Sequence, residues 1–388
     1  MSECLPAAVV VRILSRLPPK SLIRFKCVSK FWHALIGNPD FLSINLLNHS
    51  ILPQNAGDGD PLRLILFHAR DKSHWETLIH SFRSYDSLQY CASQAPLTLP
   101  PPPGPSYTIV ALCNGLVCVR DYRRSDIYLW NPATSSEPKA LLKAGSSPFL
   151  LGYARTMELV GFGFDSGSND FKVVRLVDQN QYGFYEAEIY SLRRGSWRLL
   201  DVSVPFEIVF ISHSAALDGF FLWYDDDVCD RHKHVSETIL AFDFSNEEIR
   251  TMLFPDARFL CDYGEYTRTV TELCNTPGRY KLNGSIAMLA FPKEKKEMYL
   301  DIWVMLEFGV RESWTRHLSI GLPLHLERPL RFWKKGELFM ENSEGQLVLY
   351  DLFTQTETNL QFEGYEGTLT VVDYELSSVL INGEKDNP

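Results

Sequence analysis

A short unit recurs five times between residues 127 and 354, and few folds can accommodate such a repeat. In each copy an apolar, strand-like run ends in an aromatic residue and is followed by a polar turn and a second strand. The aligned aromatic residues are Trp130, Tyr190, Phe242, Trp303 and Tyr350. They lie roughly 47 to 61 positions apart, close to the length of one four-stranded propeller blade. The repeat therefore predicts a mainly β body with a kelch-like, β-propeller-like architecture.

The remaining strand-like segments set the expected number of blades. Residues 62–90 are predicted to supply a further blade, closed by the last strand from Thr368 to Leu380, which makes about six blades. A proline-rich stretch from Gln94 to Ser106 is predicted to be a surface loop. Aromatic residues make up 13% of the chain, and this favours sheets because pleated surfaces suit aromatic side chains. A β-sandwich with long hairpins is the alternative that the same strands allow.

The first fifty residues follow a helical period instead. Apolar residues from Val9 to Leu17 recur at spacings of three and four, and Pro18-Pro19 ends this helix. A second helix is predicted from Ser21 to Ile36, and a short third helix between Asp40 and Asn48. So small a helical segment buries little apolar surface alone, so it either caps the body or docks on another chain.

The charge of the chain is divided between a helical domain at residues 1–48 and a β domain at residues 49–388. Residues 1–50 carry six Lys or Arg and two Asp or Glu, a net charge of +4. Since the whole chain has a net charge of −10, the remaining residues carry −14. An acidic body does not suit nucleic acid. This charge division favours two protein partners, an acidic one for the helices and a basic one for the body.

Neither a membrane span nor a secretory signal is expected. No apolar run approaches the roughly 20 residues that span a bilayer, and Arg12, Arg16 and Lys20 interrupt the apolar residues near the start. The 8 cysteines are scattered without a Cys-x-x-Cys pair, which is typical of reduced thiols. The predicted location is the cytoplasm, with the nucleus as a second compartment.

Two segments contain residue types that carry chemistry elsewhere. Residues 225–234 combine aspartates, a cysteine and two histidines, but Arg231 and Lys233 lie among them and no second ligand pair follows. A solvated loop is predicted there, and no metal or other cofactor is expected. Gly161 and Gly163 precede strand residues rather than a helix, which predicts a turn of a blade and not a phosphate-binding loop. No catalytic motif accompanies them, so an enzyme is not expected.

A set of spaced positions gives the helical segment a family likeness. These positions are Leu5-Pro6, Ile13-Leu14, Leu17-Pro18, Lys20-Ser21-Leu22, Arg24 to Lys30, Trp32, Leu35-Ile36, Pro39 and Phe41. Together they resemble the F-box motif, and the resemblance implies that this segment binds a Skp-type adaptor. The implied adaptor contacts are Leu5, Pro6, Ile13, Leu14, Leu17, Pro18, Leu22, Val28 and Trp32. An apolar stripe on a basic helix also suits a hydrophobic groove with an acidic rim.

Two positions depart from the F-box pattern. The family usually has an acidic residue two places after Leu-Pro and another just before Ile-Leu, where this sequence has Ala8 and Arg12. Loss of the first removes a favourable charge near a helix N-terminus, worth about 0.5–1 kcal/mol. The departures imply weaker adaptor binding or a specialised adaptor.

The body carries motifs of its own. They are Cys113 to Cys118, Leu129 to Thr134, Gly161 to Asp165, Asp170 to Arg175, Asp301 to Met305, Gly309 to Trp314 and Gly345 to Asp351. They resemble the plant F-box-associated interaction domain, and within it the S-locus F-box and S-haplotype-specific F-box group of pollen proteins. The resemblance implies a substrate-recognition subunit of a Skp–cullin–F-box ubiquitin ligase, joined to the cullin through the adaptor. In the S-locus group the targets are secreted pistil ribonucleases, which tend to be basic.

The charged loop supplies the target-binding candidates, and two other classes of function stay open. The candidates are Asp225, Asp226, Asp227 and Asp230. A propeller oxidase or hydrolase would need a metal or convergent titratable residues. A non-degradative scaffold or glycan binder would use aromatic-rich loops instead. Metal analysis tests the first class, and ubiquitin transfer in a reconstituted ligase tests the second.

Overall fold

The fold is seen in a computed structural model that describes part of the chain. The described residues are 7–14, 17, 19–36, 41, 64–69, 77–82, 107–121, 126–131, 139–140, 158–178, 185–202, 204, 213–217, 219–224, 227–228, 238–255, 266–272, 286–292, 299–332, 337–352, 354–364, 367, 369–373, 377, 379 and 381. The chain divides into two compact units. The first contains residues 1–67, 75–142 and 372–388, and the second contains residues 68–74 and 143–371.

Three short helices belong to the first unit: α1 (Ala7–Leu14), α2 (Pro19–Lys26) and α3 (Lys30–Ile36). The helix α2 begins at Pro19, whose fixed φ suits the first helical position, where its missing N–H is not needed. No described helix is long and apolar enough to cross a membrane.

The single helix predicted between Ser21 and Ile36 is wrong, because the chain turns at Cys27 and Val28. Ser29 begins the next helix: its hydroxyl accepts a hydrogen bond from the Trp32 N–H at 3.1 Å. Apart from Phe41, the predicted third helix lies outside the described residues.

The helices form an apolar core of their own. The buried members of this cluster are Val10, Leu14, Leu22, Ile36 and Phe41. Partly buried residues pack around them: Val11, Leu17, Phe25, Trp32 and Leu35. Every member comes from residues 10–41, so Leu14 and Leu22 stabilise the packing of the helices on one another.

The rest of the described chain is almost entirely antiparallel β-structure. Its strands are β1 (Leu64–Ala69), β2 (Thr77–Phe82), β3 (Tyr107–Cys113), β4 (Leu116–Asp121), β5 (Asp126–Trp130), β6 (Lys139–Ala140), β7 (Glu158–Asp165), β8 (Asp170–Asp178), β9 (Tyr185–Ser191), β10 (Ser196–Leu200), β11 (His213–Leu217), β12 (Phe220–Tyr224), β13 (Asp227–Val228), β14 (Thr238–Asp243), β15 (Glu248–Leu253), β16 (Tyr266–Glu272), β17 (Ile286–Pro292), β18 (Tyr299–Met305), β19 (Trp314–Gly321), β20 (Leu326–Phe332), β21 (Glu337–Asn342), β22 (Gln346–Asp351), β23 (Thr356–Glu363) and β24 (Thr370–Asp373). A 3-10 turn, Arg311–Ser313, precedes β19.

The strands are arranged in sheets that follow the chain. Strands β3 to β6 form one four-stranded sheet, and β24 joins the first two strands in the order β2-β1-β24. The second unit contains four sheets, ordered β10-β9-β8-β7, β11-β12-β14-β15, β13-β16-β17-β18-β19 and β20-β21-β22-β23. In the second unit, the first long strand of each sheet contacts that of the next, from β7 to β11, to β16 and to β20. Successive four-stranded blades have this arrangement.

The mainly β, propeller-type fold class is therefore confirmed, and the sandwich alternative is wrong. The number of blades differs slightly from the predicted number of about six: the described strands form five sheets of four or five strands, and one further sheet has three. The final strand does pair with the segment of residues 62–90, as expected from the sequence. All five aligned aromatic residues are buried. Since blade cores lie between neighbouring sheets, the repeat marks one core position in each of the five sheets of four or five strands.

Asn131 fastens the C-terminal segment within the first unit. Its fully buried amide donates hydrogen bonds to the carbonyl oxygens of Ser377 and Val379, at 2.9 and 2.8 Å. It immediately follows the repeat aromatic residue Trp130. The motif Leu129 to Thr134 therefore combines a core residue with a tether for a distant segment.

Replacing Asn131 with alanine is expected to destabilise the protein by about 1–3 kcal/mol, because one buried and one partly buried carbonyl lose their donor. Hydrogen–deuterium exchange should show lower protection at residues 369–381, and the melting temperature should fall. The matched control is Asn359→Ala, which removes an exposed amide bonded to Gln346 at 2.7 Å. Equal effects of the two substitutions would contradict the role of Asn131.

Gly161 and Gly163 lie inside strand β7, so the predicted blade turn is wrong. A Cβ at Gly163 would stand 2.2 Å from the Phe244 ring, and one at Gly161 would stand 2.9 Å from the rings of Phe221 and Trp223. These aromatic residues belong to the following blade. The glycines are required because buried rings lie directly against the backbone of β7.

Candidate functional site

The helical segment presents three large apolar side chains to solvent. Ile13 is 51% exposed, Val28 61% and Phe31 53%. Buried apolar packing is available to this segment, yet these three residues stay outside its core. We call Ile13, Val28 and Phe31 the exposed apolar set.

The predicted adaptor contacts therefore differ in burial. Ile13 and Val28 are exposed, whereas Leu14 and Leu22 are buried among the helices. Leu17 and Trp32 are partly buried against the same core. The remaining predicted contacts, Leu5, Pro6 and Pro18, lie outside the described residues.

Phe31 is the residue that the sequence pattern missed. A continuous helix from Ser21 would place Trp32 on the exposed stripe, but the turn at Cys27 and Val28 resets the phase of α3. Trp32 instead packs its ring edge-on to Phe25, with ring centroids 5.5 Å apart and planes 69° apart. The cap residue Ser29 was the available signal, because such a residue commonly precedes a new helix.

Basic residues lie close in sequence to Val28 and Phe31. Arg24 and Lys26 lie in the last turn of α2, where a cation interacts favourably with the helix C-terminus. Lys30 begins α3, between Val28 and Phe31 in sequence, and is exposed. The helix α1 has no acidic residue in its first turn, in keeping with the departure at Ala8. Apolar side chains with a cationic border suit an apolar groove that has acidic residues at its rim.

Most of the predicted target-binding loop falls outside the described residues, including Asp225, Asp226 and Asp230. Asp227 is in β13, which pairs with β16 through Asp227 and Thr267. The loop leaves one blade at β12 and returns at β14, and its short strand joins the sheet of the following blade. It therefore spans two neighbouring blades.

A buried polar cluster joins two blades of the second unit. The Lys172 ammonium group lies 2.7 Å from Asp165 Oδ2, 2.9 Å from Glu247 Oε1 and 3.0 Å from the Phe244 carbonyl oxygen. Burial alone would lower the pKa of Lys172, but the bonds to Asp165 and Glu247 outweigh it and raise the pKa. A lysine held charged by two carboxylates is a structural cation rather than a base.

Other groups with reactive potential are few among the described residues. No group of three or more His, Cys, Asp or Glu residues in the described ranges is placed to hold a metal ion. Among the described residues, Cys27, Cys113 and Cys118 form no disulfide bond. Burial raises the pKa of the Cys118 thiol, which keeps it protonated.

Comparison with known protein families agrees with both parts of the chain. The F-box domain model matches residues 2–44, and the model of the F-box associated beta propeller domain matches residues 91–379. The second match alone covers more than half of the chain.

Curated relatives of similar length come from Arabidopsis thaliana. An F-box/kelch-repeat protein is 30% identical over 89% of this chain and 87% of its own length. A second F-box protein is 27% identical over 93% of this chain and 88% of its own, and the F-box protein CPR1 is 26% identical over 92% and 84%. The chain therefore belongs to the F-box proteins that carry an F-box-associated β-propeller domain.

Proposed function

We propose that this F-box protein is the substrate-recognition subunit of a Skp–cullin–F-box ubiquitin ligase. Its helices would bind a Skp-type adaptor, which links it to the cullin, and its blades would bind the protein to be ubiquitinated. The family supports an adaptor role of this general kind rather than catalysis. We further propose that it acts in the cytoplasm, with the nucleus as a second compartment.

One observation carries the proposal for the helices. A segment with an apolar core of its own still exposes Ile13, Val28 and Phe31, and the exposed Arg24 and Lys30 are near Val28 in sequence. Exposed aromatic and aliphatic anchors with a charged border are the features of a protein-docking surface. These basic residues would favour an acidic adaptor, mainly by raising the association rate.

The charge of the body supports a narrower proposal about the target. Residues 51–388 carry a net charge of −14, which favours a basic protein partner. A secreted, basic ribonuclease of the pistil is the target that we propose to test first. A scaffold without ubiquitin transfer is the competing function, and a reconstituted ligase separates the two. The scaffold would bind its partner without modifying it.

The helical docking surface can be tested with two exposed residues. Replacing Val28 and Phe31 together with glutamate is expected to weaken binding to a recombinant plant Skp-type adaptor about 100-fold, with about tenfold from each residue. Both changes remove an apolar contact and oppose an acidic partner. Isothermal titration calorimetry on the full chain measures the effect.

The control is Leu199→Glu, which places the same charge on an exposed leucine of β10. Adaptor affinity should stay within twofold of the unmodified chain in this control. If the Val28 and Phe31 variant binds the adaptor as tightly as the control does, the adaptor does not use this surface and the proposal fails.

A further inference from the structure

A second exposed apolar surface lies in the second unit, at the hairpin between β18 and β19. Leu306 is 54% exposed, Phe308 39% and Leu253 38%. Phe220 at the start of β12 is half-buried. Two large apolar side chains in a four-residue exposed turn are unusual for a hairpin, where polar residues predominate.

The hairpin is fastened to the preceding blade. The Phe308 ring packs on the Phe220 ring, with centroids 4.4 Å apart. The indole N–H of Trp314 donates to the Leu253 carbonyl oxygen at 3.0 Å, and the Arg311 Nε donates to the Phe254 carbonyl oxygen at 3.0 Å. The exposed side chains Leu253, Leu306 and Phe308 are therefore held in one region that two blades share.

Internal hydrogen bonds hold the shape of the hairpin. The Ser313 hydroxyl accepts from the Glu307 N–H at 3.1 Å and lies 2.7 and 2.9 Å from the carbonyl oxygens of Val310 and Glu307. Gly309 has φ of +80°, a conformation that favours glycine. A preformed loop loses little conformational entropy when it binds a partner.

Acidic residues border this apolar region. Glu307 and Glu312 are exposed, while the one basic residue between β18 and β19, Arg311, is directed to the Phe254 carbonyl oxygen. The hairpin thus adds local negative charge to a body that is already acidic. A basic, apolar segment complements both properties, whereas an acidic segment would be repelled.

We propose that this hairpin surface, formed by Phe220, Leu253, Leu306 and Phe308 with Glu307 and Glu312, docks the target protein. The occupant is a segment of the target in which apolar side chains are flanked by lysine or arginine. The inference rests on the proposed function as a substrate receptor, and it assigns target binding to a place other than the loop of residues 225–230. Apolar contact supplies affinity, and the two glutamates select against acidic sequences.

A displayed library of random 12-residue peptides, selected on the full chain, tests the proposal. The selected peptides should combine Leu, Phe or Trp with flanking Lys or Arg. Fluorescence polarisation of synthetic versions should show at least tenfold weaker binding to the Leu306→Ser and Phe308→Ser double variant. The Glu307→Gln and Glu312→Gln double variant should bind about threefold more weakly and with a smaller dependence on salt.

Matched controls are Leu199→Ser and Leu324→Ser, which remove exposed leucines elsewhere in the second unit and should leave peptide affinity unchanged. A library that yields no binder, acidic binders, or binders with equal affinity for the Leu306 and Phe308 variant overturns the proposal.

Measurements of adaptor binding distinguish a failure of the hairpin proposal from a failure of the proposed ligase function. The hairpin variants should bind the Skp-type adaptor normally, and the Val28 and Phe31 variant should bind the peptides normally. If basic peptides bind the hairpin while no adaptor binds the helices, the ligase function fails and the hairpin surface stands. If the adaptor binds the helices while no basic peptide binds the hairpin, the ligase function stands and the hairpin surface is not its target-binding site.

Discussion

Replacing Lys172 with methionine is expected to lower the free energy of unfolding of the second unit by about 3–5 kcal/mol. The substitution keeps most of the side-chain volume but leaves Asp165 and Glu247 without their shared cation. Both lysine and Asp165 are buried, so water cannot replace the lost partner. The Phe244 carbonyl oxygen loses a donor as well. Urea denaturation followed by tryptophan fluorescence measures the change.

The control for Lys172→Met is a substitution of Arg198, the other cation that pairs with the Glu247 carboxylate. Arg198 pairs with Glu247 from an exposed position, so Arg198→Gln should change stability by about 1 kcal/mol or less. If Lys172→Met is no more harmful than Arg198→Gln, the cluster does not hold the two blades together.

The Lys172 cluster should also respond to acid. Burial alone would raise the pKa of Asp165, but hydrogen bonds from Lys172, Ser168 and Ser245 outweigh it and lower the pKa far below its usual value. Because the folded-state pKa is the lower one, this stabilisation is present above about pH 4 and is lost as the pH falls towards the folded-state pKa. The difference in stability between the unmodified chain and Lys172→Met should narrow below about pH 4. A constant difference down to pH 3 would contradict this account.

Replacing Gly163 with alanine is expected to destabilise the second unit by about 3 kcal/mol, although only one methyl group is added. That methyl group would overlap the fully buried Phe244 ring, whose nearest atoms lie 2.2 and 2.5 Å from the position of the new Cβ. Close-packed interiors offer the ring no free volume, so the strand or the ring must move. A fall in melting temperature of several degrees is the expected readout.

Gly321 provides the matched control, because it also lies in a strand but has no atom within 4 Å of an added Cβ. Gly321→Ala should leave the melting temperature nearly unchanged. If the two substitutions were equally mild, Gly163 would not be required by the Phe244 ring.

The sequence predicted those features of the fold that the residue pattern of a single strand indicates by itself. The repeat aromatic residues predicted the blades because each occupies a core position within the alternating pattern of one strand. The helix break at Cys27 and Val28 was missed since apolar spacing alone continues through it, and only Ser29 indicates a new start. The exposure of Phe31 followed from that break, so the missed helix end and the missed surface residue have one cause.

Interactions between blades were beyond the reach of sequence patterns. Lys172 and Glu247 are 75 positions apart, and nothing near Lys172 in sequence indicates this partner. The glycines of β7 were interpreted as a turn because the aromatic rings that lie against them come from another sheet. The hairpin surface was missed for the same reason. Its four apolar residues are supplied by three separate segments, and Phe308 by itself resembles any aromatic residue beside a strand.

The pairing of β24 with β1 has a consequence for synthesis of the protein on the ribosome. The two strands are separated by roughly 300 residues, so β1 and β2 must wait for translation of nearly the whole body before their sheet can be completed. At about 5–20 residues per second, that delay is about 15–60 s. During this time β1 has an unpaired edge that invites chaperones or aggregation. A premature stop codon before Thr370 would make this open edge permanent.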